Sequence, residues 1–269
     1  MDASLAELLR AAPGRWAWDA RRLADGYRTA YRAEDIRPAA SLIKLGILAA
    51  AWDRIERGAA RLHDRLAWEP EEAVPGSGVL KDLVPSPWRL ADLLTLTVTV
   101  SDNTAANVLL RWLGRDAVNH TMATLGMTRT VLANPFERLA VPRAGYNHTT
   151  ARDMTELVQR MVTGTAISRT ASQHMTDLLR RCQAPCAFAP APRPLAPGVT
   201  ATWPVVGHKT GRLDRLRADT GFVFGPAGGF VLTLIGDEAP AGRLGPWLFR
   251  LGRALLAHLE RAPRVRQAL

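Results

Sequence analysis

The chain has 269 residues, 47% of them hydrophobic, enough to build a full core in one large domain or two interleaved lobes. Its net charge of +10 raises a nucleic-acid or anionic-surface partner, but the arginines are spread through every segment. No basic stripe with interleaved aromatics and no nucleic-acid-binding motif occurs, so the excess reads as a solvated basic surface. Cys182 and Cys186 are its only cysteines, and three residues separate them. That spacing fits neither a redox pair nor a usual zinc knuckle, and no further cysteine completes a set, so two free thiols and no metal or cofactor are expected. The first ten residues carry acids, no basic leader and no apolar run long enough for a signal or a span. The expectation is a soluble, cytoplasmic protein with no membrane partner, secreted only if a leader was trimmed.

In chain order, residues 2–12 read as an amphipathic helix with Leu5, Leu8 and Leu9 on one face, ended by Pro13-Gly14. Residues 15–20 and 27–32 alternate large and polar side chains around a turn at Asp25-Gly26, as a hairpin does. Pro38 breaks the chain before an apolar helix that Ser41 opens and that runs to about Gly58. Six prolines and glycines then mark a loop-rich stretch. Helices are expected over 90–96, 104–113, 115–125, 150–162 and 171–181, with a loop at 134–147 and a Pro- and Ala-rich linker at 187–197. The last third turns to strands at 205–211, 219–224 and 229–235, followed by a helix over 245–261. Strands at both ends of the chain with helices between them imply an α+β fold in which the two ends share one sheet.

Three short motifs carry the chemistry. Ser41-x-x-Lys44 puts a hydroxyl and an amine three residues apart on a helix, hence on one face. A serine needs a base to become a nucleophile, and a buried lysine whose charged form is disfavoured is such a base. Lysine is scarce here: 32 of the 35 basic residues are arginine, and only Lys44, Lys81 and Lys209 are lysine. Arginine does not give up its proton at working pH, so a surviving lysine is a candidate for proton transfer. A serine near a helix start also has backbone N–H groups pointing toward it, which can hold a developing oxyanion. Ser101-Asp102-Asn103 follows in a loop between helices, and Lys209-Thr210-Gly211 on a strand just after Val206-Gly207-His208. His208 precedes Lys209 on that strand and should face away from the cleft as a packing residue.

The three motifs in this order are the signature of class A β-lactamases and penicillin-binding proteins. The chain resembles the class A β-lactamase branch of the penicillin-recognising serine enzymes, and Thr99-Val100-Ser101-Asp102-Asn103-Thr104-Ala105-Ala106-Asn107 is close to that branch's wording. The resemblance implies a serine β-lactamase/DD-peptidase-like fold: a five-stranded antiparallel sheet from both termini, flanked by helices, and an all-helical lobe. It implies a single β-lactamase-like domain over 1–269, with an α/β lobe at about 1–44 and 191–269 and a helical lobe at about 45–190. By the same resemblance, Ser41 is the acylated nucleophile, Lys44 its proton partner, and Ser101 the shuttle to the leaving nitrogen. Asn103 holds the substrate's side-chain amide. Lys209 and Thr210 bind its carboxylate, and the backbone N–H groups of Ser41 and Arg212, beyond Gly211, form the oxyanion hole. Asp102 braces its loop.

One part of the family pattern is absent. Its lactamases carry a loop glutamate that activates the deacylating water, followed by an asparagine. In Asn134-Pro135-Phe136-Glu137-Arg138-Leu139-Ala140, Phe136 takes the glutamate's slot, Glu137 falls one position late and Ala140 stands in for the asparagine. Glu137 is a solvated loop acid or a displaced base. Three readings follow: a β-lactamase-like serine hydrolase with slow deacylation; an acyltransferase, amidase or DD-peptidase-like enzyme acting on a small non-antibiotic acyl substrate; and a non-catalytic penicillin-binding module.

Overall fold

A computed structural model of the protein describes residues 3–136, 145–189 and 204–263. Glu137 and Ala140 lie outside the described residues, as does most of the expected linker at 187–197. The sheet is built from β1 (Arg15–Arg22), β2 (Arg28–Tyr31), β3 (Val205–Leu213), β4 (Leu216–Gly225) and β5 (Gly228–Asp237). Its order is β2-β1-β5-β4-β3, antiparallel throughout, so the two ends of the chain meet where β1 pairs with β5. In that pair Trp18 stands opposite Leu234 and Ala17 opposite Ile235.

Side chains on a strand alternate between faces, and both faces of this sheet are apolar. Trp16, Trp18, Ala20, Leu232 and Leu234 form one core with α1 (Ala3–Ala11) and α8 (Ala241–Arg261). Ala17, Val231, Ile235, Ala218 and Phe222 point the other way, into a larger core shared with the remaining helices. On that side α6 (Ala151–Thr163) lies against β1, β4 and β5, and Thr155 Oγ1 donates to the Asp19 carbonyl at 3.0 Å. The charged residues of this face are paired: Asp19 accepts from both Arg21 and Arg28.

At the centre of the larger core is α2 (Lys44–Glu56), buried without interruption from Lys44 to Trp52. It packs against α3 (Leu90–Thr99), α4 (Asn103–Leu113), α5 (Arg115–Thr124) and α7 (Arg169–Arg180). Small residues permit that density: a Cβ on Gly46 would sit 2.3 Å from Met122 Sδ.

Two local expectations are corrected. Ser41 does not open the α-helix itself: residues Ala40–Ile43 form a 3₁₀ turn and the α-helix begins at Lys44. Ala40 takes a left-handed φ of 45°, which turns the chain sharply after Pro38 and leaves room for only the tighter helix before Lys44. Thr97, Val98 and Thr99 are helical despite their β-branched side chains, because all three are buried at the end of α3, where packing overrides intrinsic preference.

Candidate functional site

The Ser41 turn packs directly on β3. Gly211 makes this approach feasible, since a Cβ there would lie 3.2 Å from Leu42 Cγ and 3.3 Å from Ala40 Cβ. On the other side, Asp102 fixes the loop that carries Ser101. It caps α4 by accepting from Ala105 N at 2.9 Å, and its second oxygen accepts from Val79 N at 2.7 Å and Leu80 N at 2.8 Å. With both oxygens committed to backbone amides, Asp102 is a brace, as expected. Ser101 is held at φ 58°, a strained conformation for a non-glycine residue.

That strain aims Ser101 between two lysines. Lys209 Nζ donates to Ser101 Oγ at 2.9 Å and to Thr210 O at 3.0 Å. Lys44 Nζ lies 3.2 Å from the same Oγ and also donates to Ser101 O at 2.5 Å and Asn103 Oδ1 at 2.6 Å. Asn103 Nδ2 is held by Pro75 O at 3.0 Å. Ser41, Ser101, Lys209, Thr210 and Arg212 line one cleft of about 270 Å³, together with Ser77, Cys182 and Gln183. Lys44 lies beneath it, fully buried. Among the described residues no hydrogen bond joins Ser41 Oγ to Lys44 Nζ; the amine is turned toward Ser101 and Asn103. A larger cavity of about 640 Å³, bordered by Asn107, Arg111, Arg115 and Leu132, contains none of the motif residues.

The electrostatics follow from burial. Desolvation and, next, the charge of Lys209 push Lys44 well below the usual lysine range, with Asp102 opposing weakly. Lys209 falls to about 8, again chiefly by burial. Two ammonium groups converging on one hydroxyl disfavour each other's charge, so this cleft is suited to moving protons.

Phe136 is the neighbour that sequence reading saw only in part. Its ring centroid is 4.4 Å from Lys44 Nζ, and Asn107 clamps its backbone from both sides, donating to Phe136 O at 2.6 Å and accepting from Phe136 N at 2.8 Å. An aromatic face covers the amine. Nothing in the sequence signalled that Ser77, Cys182 and Gln183 would form cleft wall; the 182–184 segment is tied there by Gln183 N donating to Thr99 O at 2.9 Å. His208 faces away from the cleft, as expected of it, with Nδ1 2.9 Å from Asp219 Oδ1 and Nε2 3.0 Å from Ala184 O. Both partners are acceptors, so the ring carries both protons. Burial works against that charge, but the Asp219 carboxylate outweighs it and holds His208 far above the usual histidine range.

A serine turn, a Ser-Asp-Asn loop and a Lys-Thr-Gly strand meeting at the edge of this helix-flanked sheet define a penicillin-recognising, serine β-lactamase-like protein. The chain belongs to the Beta-lactamase enzyme family, whose model matches residues 1–259. It is 28% identical over 190 residues to the carbapenem-hydrolyzing β-lactamase KPC of Klebsiella oxytoca, an alignment covering 69% of this chain and 62% of that protein. Against a β-lactamase of Streptomyces albus G it is 30% identical, over 61% of this chain and 55% of the relative. The chain thus spans roughly three-fifths of the length of these curated relatives. Among solved structures, a β-lactamase from Sphaerobacter thermophilus DSM 20745 superposes with a TM-score of 0.87 at 27% identity, covering 97% of each chain. A mutant of PBP-A, solved as an acyl-enzyme complex with penicillin G, gives 0.83 at 25% identity over 96% of each chain. Among the described residues no helix is long and apolar enough to cross a membrane.

Proposed function

We propose that the protein is a serine acyl hydrolase that opens a β-lactam or related amide through a covalent Ser41 ester and releases that ester slowly. The observation that carries this reading is the convergence of Lys44 and Lys209 on Ser101 in the cleft that Ser41 lines. Lys44, whose charged form burial disfavours, takes the proton of Ser41 Oγ as the oxygen attacks the substrate carbonyl. Contacts of this kind often tighten only with substrate bound, and the buried amine is one helical turn from the hydroxyl. The oxyanion is held by the backbone N–H groups of Ser41 and Arg212. Ser101, linked to both amines, passes a proton to the leaving nitrogen. Lys209 and Thr210 receive the substrate carboxylate, and Asn103 Nδ2 exchanges Pro75 O for the substrate's side-chain amide.

Slow deacylation rests on Phe136. Hydrolysis of the ester needs a base for the incoming water, and the surface facing Lys44 is an aromatic ring that accepts no proton. The same observation favours a second reading, in which an amine acceptor releases the acyl group faster than water does, as in an acyltransferase or DD-peptidase-like enzyme. A penicillin-binding module without turnover is the third.

Intact-mass spectrometry of the protein mixed with benzylpenicillin distinguishes them. The expected result is an adduct of one penicillin per chain, absent in Ser41→Ala, that decays slowly. An adduct persisting in Ser41→Ala overturns the assignment of the nucleophile. No adduct from penicillin or from an activated ester leaves only the binding module.

A further inference from the structure

Behind the cleft wall, a second cluster of chemically capable side chains has no part in the acylation scheme. Cys186 Sγ, a ring nitrogen of His208 and a carboxylate oxygen of Asp219 all lie within 4.8 Å of one another. His208 and Asp219 come from adjacent strands, where His208 stands opposite Gly221 and Asp219 two residues before it, a diagonal pair on one face. Cys186 arrives from the segment that follows α7. We propose that Cys186, His208 and Asp219 form a binding site for a thiophilic divalent cation of the zinc type.

The supports of these three groups argue for a prepared site. A metal-binding histidine normally donates its other ring N–H to a carbonyl or carboxylate, which fixes the ring. His208 Nε2 does so to Ala184 O at 3.0 Å while Nδ1 faces the cluster. Asp219 is held the same way: Oδ2 accepts from Ala187 N at 2.8 Å, leaving Oδ1 turned inward. Both His208 and Asp219 are buried, so neither is free to swing into solvent. Donors around tetrahedral zinc lie about 3.3–3.8 Å apart, given bonds of about 2.0–2.3 Å. With all three ligand atoms inside 4.8 Å and His208 Nδ1 2.9 Å from Asp219 Oδ1, small shifts reach that spacing, the His208–Asp219 pair opening slightly. Thiolate with imidazole selects zinc-type ions over magnesium or calcium, which prefer oxygen. Thiolate and imidazole ligate only in their deprotonated forms, so binding releases protons.

The test uses the whole protein after chelation and dialysis, titrated with Zn²⁺ alone and with Co²⁺ as a spectroscopic probe. The expected result is one ion per chain, protons released on addition of Zn²⁺, and a cobalt–thiolate charge-transfer band. Cys186→Ser should abolish the band, and Asp219→Asn should weaken binding by at least ~10–100-fold, the scale set by losing even a ligand's support. Cys182→Ser, whose thiol is outside the mutual set, should keep both the ion and the band. Failure of the wild-type protein to retain Zn²⁺, or displacement by equimolar Mg²⁺, overturns the proposal, and neither requires a variant to fold. A band that survives in folded Cys186→Ser, or is lost in Cys182→Ser, overturns the ligand assignment.

Discussion

At the scale of single residues, the proposed chemistry turns on Lys44 and Phe136. Lys44 is wholly buried, and desolvation together with the charge of Lys209 lowers its pKa well below the usual lysine value. On the proposed mechanism the amine accepts the Ser41 proton above that lowered pKa, where it is neutral, and does not below it, where it is charged. Acylation by an uncharged activated ester should therefore be fully present at high pH and fall as pH drops through the shifted value, a midpoint well under the ordinary ~10.4. Lys44→Arg keeps the charge but not the basicity, and stopped-flow acylation should slow by about 10²–10⁴-fold. Lys209→Arg should be milder, because a cation still meets the substrate carboxylate. Equal tolerance of arginine at both positions would rule out Lys44 as the base. Phe136 supplies the complementary test. Phe136→Glu puts a carboxylate where the ring now covers Lys44, and the lifetime of the penicillin ester, followed by intact mass, should shorten by about 10²–10⁴-fold. An unchanged lifetime would mean that water access, not the missing base, limits release.

At the scale of elements, the site depends on three pieces being clamped to one another: the Ser41 turn, the Ser101 loop and β3. Asp102 is the clamp of the second piece, accepting one amide at the start of α4 and two from residues 79 and 80. Asp102→Ala removes a helix cap, typically worth about 0.5–2 kcal/mol, and orphans two further amides at roughly 1–3 kcal/mol each when buried. A loss of about 3 kcal/mol in urea unfolding is expected, with acylation reduced as well, since Ser101 would no longer be held in its strained conformation. Asp102→Asn, which keeps an acceptor oxygen, should lose less. A melting curve identical to wild type for Asp102→Ala would show that the loop is held by something else.

At the scale of the whole molecule, the +10 charge acts as a field rather than as a set of contacts. Exposed ion pairs such as Arg15–Glu238 and Arg152–Glu34 contribute little to stability individually, but Lys209 and Arg212 sit in a cleft of an already cationic protein. The association of an anionic penicillin should therefore weaken several-fold between low and physiological ionic strength, while an uncharged ester should be indifferent, because screening acts only on charged partners. Parallel salt series of the two acylation rates check this; identical slopes would remove any steering role for the surface charge.

The motifs, their order and the α+β class were present in the sequence, because local residue types and strand or helix periodicity carry them, while the candidate roles of Ser101 and Lys209 came with the motifs' resemblance to the family. Even the odd placement of Phe136 was legible as a departure from a pattern. The tertiary structure alone decided which groups meet. Lys209 reaches Ser101 across 108 positions of chain because α7 packs both on β3 and on α3, whose end leads into the Ser101 loop. Asn107 clamps Phe136 over Lys44, and Lys44 turns its amine to Ser101 and Asn103 rather than to Ser41, outcomes of packing that no spacing encodes. Cys182 and Cys186 read as two unremarkable thiols because their sequence neighbours offer no ligand. Strand register sets His208 and Asp219 beside Cys186 from 22 and 33 positions away, and only a folded sheet brings such distant residues within 4.8 Å of one another.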